Sequence, residues 1–176
     1  EAMLKYGSDK PDLRNPLIIH DVTDLFKRDD VTFNAFKGII EKGGVVRAIK
    51  APKTADQPRS FFDKLNDWAR GEGAPGLGYI TFKEGTGHGP IAKFISEEAL
   101  DFLRENIDHV TDGDSVFFVC DQPAEAEKFA GKAREAICDA ITAINPEHPA
   151  AREQNIFKFC WIVDFPMFEY DEKAKK

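Results

Sequence analysis

Apolar residues recur along this chain with two periods, and stretches of one alternate with stretches of the other. Phe61, Phe62, Leu65, Trp68 and Ala69 share one face at helical spacing and predict a helix over residues 58–70, with Pro58 in its first turn. Leu100, Leu103 and Ile107 predict a second helix, capped by Ser96, with Glu97 and Glu98 placed to complement its dipole. The longest stripe (Ala126, Phe129, Ala130, Ala133, Ile137, Ala140, Ile141, Ile144) predicts a helix from Pro123 to Ile144, ended by Asn145-Pro146. Residues 1–6 read as one helical turn stopped by Gly7, and Asp21 caps a brief helix reaching Phe26.

The β-like runs lie between these helices. Leu17–Ile19 is a short strand, and Val31 to Ile40 is a loose β-like stretch. Gly44 to Ala51 alternates as a half-buried strand does. Leu77–Phe82 is paired, through a turn over residues 85–90, with a returning strand at Ile91–Ile95. Ser115–Cys120 is continuously apolar and reads as the central strand, and Ile156–Val163 is a last strand. Short connections between strands favour antiparallel pairing. The expectation is an α+β domain over residues 20–147, a two-layer sandwich with a mostly antiparallel sheet and helices on one face. Residues 8–16 and 148–155, rich in turn formers and polar groups, read as linkers on either side.

Charge adds one local feature. The chain carries a net −7, which disfavours a freestanding nucleic-acid binder. Residues 37–70 nevertheless hold eight basic side chains against four acidic ones, a surplus of four. Arg47, Lys50, Lys53 and Arg59 in this window are the candidate phosphate-facing residues, weighed against an ordinary solvated face of mixed charge. No apolar run approaches the roughly 20 residues of a membrane helix, and no signal-peptide pattern is visible.

Other chemistry is sparse. Cys120, Cys138 and Cys160 form no CxxC pair and read as small hydrophobes in a reducing compartment. His20, His88, His109 and His148 are isolated in sequence, so no metal set or nucleophile–base pair is assigned. The run Gly85-Thr-Gly-His-Gly-Pro90 has no helix after it and reads as a hairpin loop, not a phosphate cradle. Asp112-Gly-Asp114 lacks the remaining spacing of a calcium loop and reads as a turn.

The two flanks carry a family signature. Tyr6-Gly-Ser8-Asp9-Lys10-Pro-Asp12-Leu-Arg14 resembles the segment that bacterial aspartyl-tRNA synthetases place before their inserted domain. Trp161-Ile-Val-Asp164-Phe-Pro166-Met-Phe-Glu169 resembles the strand with which those enzymes re-enter their catalytic fold. Between them, Gly76-Leu-Gly-Tyr-Ile80 and Gly89-Pro-Ile-Ala-Lys-Phe94 resemble the insertion itself, the GAD domain (DCoH-like in fold class), which is shared with a tRNA-dependent amidotransferase subunit.

The resemblance implies a piece of a larger class II enzyme. Residues 1–19 would be a stub and linker from the catalytic domain, 20–147 the insertion, and 148–176 the linker and returning strand. The parent would join aspartate to tRNA using ATP and Mg²⁺, as a cytoplasmic homodimer. The family's ATP-gripping arginines and amino-acid-binding His segment match nothing here, so no catalytic residue is carried over, and no cofactor is assigned to the chain itself. Its implied partners are tRNA and the rest of the synthetase, with an accessory part in positioning the acceptor end. A GAD module of the amidotransferase subunit, a purely structural spacer and an independent small α+β enzyme are the other readings.

Overall fold

A computed structural model describes residues 1–164. Pro166 and Glu169 of the outgoing motif lie outside the described residues. The helices are α1 (Ala2–Tyr6), α2 (Thr23–Lys27), α3 (Asn34–Ile40), α4 (Arg59–Gly71), α5 (Glu97–Asn106) and α6 (Pro123–Ile144). The strands are β1 (Ile19–Asp21), β2 (Val45–Ala51), β3 (Gly78–Lys83), β4 (Thr86–His88) and β5 (Ser115–Asp121). They form one sheet in the order β1-β2-β5-β3-β4, and every neighbouring pair is antiparallel.

The continuous apolar run of β5 puts it at the centre, and it is buried from Ser115 to Cys120. Its side chains alternate between two cores. Val116, Phe118 and Cys120 pack with Leu25, Phe26, Ile80, Phe82, Leu100 and Leu103. Phe117 and Val119 pack with Phe61, Phe62, Leu65, Ala130, Ala133 and Ile137. The domain is α+β with an antiparallel sheet, as expected, but helices cover both faces: α2, α3 and α5 on one, α4 and α6 on the other. That corrects the single helical face. The physical reason is β2, whose interior is buried on both sides where its alternation predicted one wet face.

Three local expectations are also corrected. Residues 34–40 are helical, because Phe33, Phe36, Ile39 and Ile40 dock at three-to-four-residue spacing against the first core. The strand returning from β3 is β4, within the glycine-rich run, and Ala92–Phe94 is a 3-10 turn. Glu84 (φ 52°) and Gly85 (φ 77°) supply the two left-handed residues of the tight β3–β4 hairpin. Residues 156–163 form no strand, and Phe157, Phe159 and Trp161 are exposed. The Ser96 cap is realised, its Oγ accepting the Ala99 N–H at 3.0 Å.

Candidate functional site

The four basic candidates separate into two kinds. Arg47 lies on β2, and its residue is only 4% exposed. Its Nη1 sits 2.7 Å from Asp21 Oδ2 and its Nη2 3.6 Å from Glu127 Oε1. Neither its Nε nor its Nη1 makes an aligned hydrogen bond, so the contact is one of charge. Lys50 turns inward as well. Its Nζ donates to the carbonyls of Asp108 (2.9 Å) and His109 (3.3 Å) and lies 3.4 Å from Asp114. Asp108 and His109 both have positive φ, so Lys50 props a left-handed bend beyond α5. Lys53 and Arg59 present their charge to solvent. Lys53 is exposed, and Arg59 holds Asp63 only loosely at 3.5 Å. Being buried on both faces, β2 consumes its own polar residues as internal struts.

The flanking motifs are organised by α6. Gly7 ends α1 in the left-handed conformation and approaches Gly131 so closely that a Cβ on Gly7 would lie 2.3 Å from Gly131 Cα. The Arg134 guanidinium lies over the Tyr6 ring at 5.2 Å. Ser8 Oγ accepts the Lys10 N–H, and Asp9 pairs with the Lys10 ammonium at 2.8 Å. Asp12 binds Arg14 through both carboxylate oxygens, at 3.0 and 2.8 Å.

Arg134 is the centre of the arrangement and is almost fully buried. Nε donates to the Leu17 carbonyl (2.6 Å), and Nη2 donates to the carbonyls of Asn15 (2.6 Å) and Asp12 (3.1 Å). Nη1 donates to Glu135 (2.7 Å). Burial pushes the Arg134 guanidinium below its ordinary value, against the opposing pull of Glu135. The buried Asn15 side chain donates to the Arg134 carbonyl and accepts the Leu17 N–H. These bonds satisfy a stretch of irregular backbone that would otherwise be orphaned under a helix.

The outgoing segment is tied to the same place. Arg152 reaches Asp12 (2.6 Å), Glu135 (2.5 Å) and Asp139 (2.8 Å). Burial alone would lower Arg152, but the bonds to Glu135 and Asp139 carry it above its usual value. The Arg14 hydrogen bonds, with Arg152 adding charge, hold the Asp12 carboxyl well below the usual carboxylate range. The Arg152 N–H donates to Thr142 Oγ1 (2.7 Å), and the Glu153 N–H donates to the Arg14 carbonyl (2.9 Å). The result is a clamp in which the two flanks are bonded to one helix and to each other. Asp164, the last described residue, has left-handed φ (56°) and lines a cavity with Trp161, Tyr6 and Asp9.

Arg134, Arg152, Asn15, Glu135 and Asp139 escaped the sequence reading. One signal was present: Arg134 falls on the apolar stripe of α6, between Ala130 and Ile137. Two of the four histidines, His20 and His148, have structural partners. His20 pairs with Asp108 at 3.1 Å. His148 accepts the Ala150 N–H at Nδ1, which leaves Nε2 to donate to the Lys53 carbonyl. Among the described residues no group of three or more His, Cys, Asp or Glu side chains is arranged to hold a metal ion.

Comparison with known proteins agrees with this architecture. Residues 36–130 match the GAD domain family. The aspartate–tRNA(Asp/Asn) ligase of Beijerinckia indica is 57% identical over 180 residues, covering 99% of this chain and 28% of the relative. The enzyme of that name from a Drosophila simulans Wolbachia is 57% identical over 178 residues, covering 100% of this chain and 28% of the relative. That of Methylocella silvestris is 53% identical over 180 residues, covering 100% and 27%. The chain thus spans little more than a quarter of the length of these relatives. With its family segment running from α3 into α6, the chain belongs to the GAD domain family.

Proposed function

We propose that these residues are the insertion region of an aspartate–tRNA ligase, and that they contribute position to the reaction while the bond-making groups lie elsewhere in the polypeptide. One observation carries the reading: the similarity to aspartate–tRNA(Asp/Asn) ligases extends over the whole chain, flanks included. It favours the ligase over the amidotransferase subunit, because Tyr6–Arg14 lies within the matched length. In this reading residues 1–19 and 148–176 are the connections to the catalytic domain, and 20–147 is the accessory domain between them. ATP and Mg²⁺ belong, in this reading, to the remainder of the enzyme. tRNA is the macromolecular partner, and the parent is a cytoplasmic homodimer.

The clamp gives the accessory role a physical form. A domain inserted through two independent linkers would pivot about each of them. Here both connections are fixed to α6 by charge-assisted hydrogen bonds, buried at Arg134 and partly exposed at Arg152, so the domain is held at a set angle to whatever the flanks join. Orientation of this kind lowers the entropic cost of bringing a large substrate to a reacting centre.

The test is aminoacylation by the full-length polypeptide that carries these residues. It should charge tRNA with aspartate and show aspartate-dependent ATP–pyrophosphate exchange. The 176-residue chain alone should show no exchange above background. Failure of the full-length protein to use aspartate, or turnover by the chain alone, would overturn the assignment.

A further inference from the structure

A groove of about 570 Å³ runs between α4 and the β3 edge, away from the clamp. One wall is a single stripe of α4: Arg59, Asp63, Asn66 and Arg70. The rest of the lining is Phe33, the Leu77–Tyr79 segment of β3 and its approach, and Gly89 to Ile91. We propose that this groove binds a single-stranded segment of the tRNA, with Arg59 and Arg70 on its phosphates. The proposal rests on the ligase reading and names the surface that would meet the substrate.

The groups facing the groove are mostly donors. Arg70 is exposed and has no carboxylate partner among the described residues. Arg59 holds Asp63 at 3.5 Å in a solvent-exposed pair, weak enough to exchange for a phosphate. Asn66 Oδ1 is taken by the Leu77 N–H, which turns its amide Nδ2 to other partners. The Tyr79 hydroxyl makes no hydrogen bond within the described residues and, as a phenol at neutral pH, is a donor. A cavity with a surplus of donors and one engaged carboxylate is complementary to a ligand rich in acceptors and negative charge, as a phosphodiester strand is.

Geometry favours a strand over an isolated phosphate. Arg59 and Arg70 stand eleven residues apart on one helix, about 16 Å along its axis, which is farther than one phosphate can bridge. The tyrosine wall is rigid. Tyr79 stacks on Phe62 (centroids 4.3 Å apart, planes 18° from parallel), and Phe62 stacks on Phe117 in the core. Tyr79, Pro90 and Phe33 give unpaired bases an apolar surface while the arginines track the backbone, the combination that binds single strands without reading sequence. Arg47, buried, and Lys50, half-buried, have no part in this surface.

The experiment uses the full-length enzyme and its tRNA. The double variant Arg59→Glu, Arg70→Glu should raise the KM for tRNA about ten-fold and leave aspartate-dependent ATP–pyrophosphate exchange unchanged. In direct tRNA binding, the slope of log affinity against log salt should fall by about 1.4, the share of two single-strand phosphate contacts. Arg59→Gln with Arg70→Gln should show the same loss of slope, and both arginines are exposed, so folding is retained. The control Lys27→Glu with Lys128→Glu, an equal change of charge at exposed sites outside the groove, should leave KM and slope as they are. A wild-type enzyme that charges tRNA, beside groove variants with unchanged KM and slope, overturns the groove and leaves the ligase reading standing. A wild-type enzyme that does not charge tRNA overturns the ligase reading, and the groove proposal with it.

Discussion

The backbone N–H of Glu153 donates to the carbonyl of Arg14 at 2.9 Å, so the segment leaving the domain is bonded to the segment entering it. Around this bond, Asp12 accepts from both Arg14 and Arg152, and Arg134 holds the carbonyls of Asp12, Asn15 and Leu17 from beneath. Two segments 139 positions apart in sequence thus lie side by side. Hydrogen bonding of both segments to one helix goes further and fixes their direction.

Arg134 carries the largest share of this clamp. Arg134→Met keeps the apolar stem but orphans the carbonyls of Leu17 and Asn15, while the Asp12 carbonyl keeps the Asn15 N–H and Glu135 keeps Arg152. We expect a loss of about 3 kcal/mol in urea unfolding, seen as a lower midpoint with unchanged slope. Arg134→Lys should recover little, because one ammonium cannot reproduce a fork that reaches Leu17, Asn15 and Glu135 together.

Two glycine substitutions within helices should have opposite signs. Gly38→Ala in α3 meets nothing within 4 Å and should stabilise by about 0.5–1 kcal/mol, the usual helix gain. Gly131→Ala in α6 would place a Cβ 2.5 Å from the Gly7 carbonyl oxygen and should destabilise by about 1–3 kcal/mol despite the same gain in propensity. Thermal melts of the two variants beside the parent chain check both signs.

Acid should reach the clamp through Asp12. Its carboxyl titrates lower in the folded chain than in the unfolded one, so its contribution is complete above the unfolded value, near pH 4, and is lost as pH falls toward the folded value. Stability measured from pH 6 down to pH 2.5 should therefore fall more steeply in the parent than in Asp12→Asn, which is weaker at neutral pH. Parallel curves would show that Asp12 does not differ between the two states.

Much of the fold was legible because it is local. The α6 stripe, the Ser96 cap and the continuous apolar run of β5 each sit within one window, and each formed as read. The α3 helix was missed because it is short, contains Gly38, and gains its stability from Phe33 and Phe36 packing on the core, not from propensity. Arg47 and Lys50 were read as surface charges because alternation alone cannot show that β2 is covered on both faces. The clamp joins residues more than a hundred positions apart, and only the placement of a lone arginine on an apolar stripe pointed to it.

The central claim is that both flanks are locked onto α6, and amide hydrogen exchange at Leu17 and Glu153 tests it most directly. The Leu17 N–H is bonded to the Asn15 side chain and the Glu153 N–H to the Arg14 carbonyl. Both should exchange slowly in the native chain. In Arg134→Met both should lose that protection, while the amides of β5 stay slow. If Leu17 and Glu153 exchange in the native chain at the rate of an unstructured peptide, the flanks are not held and the clamp is wrong.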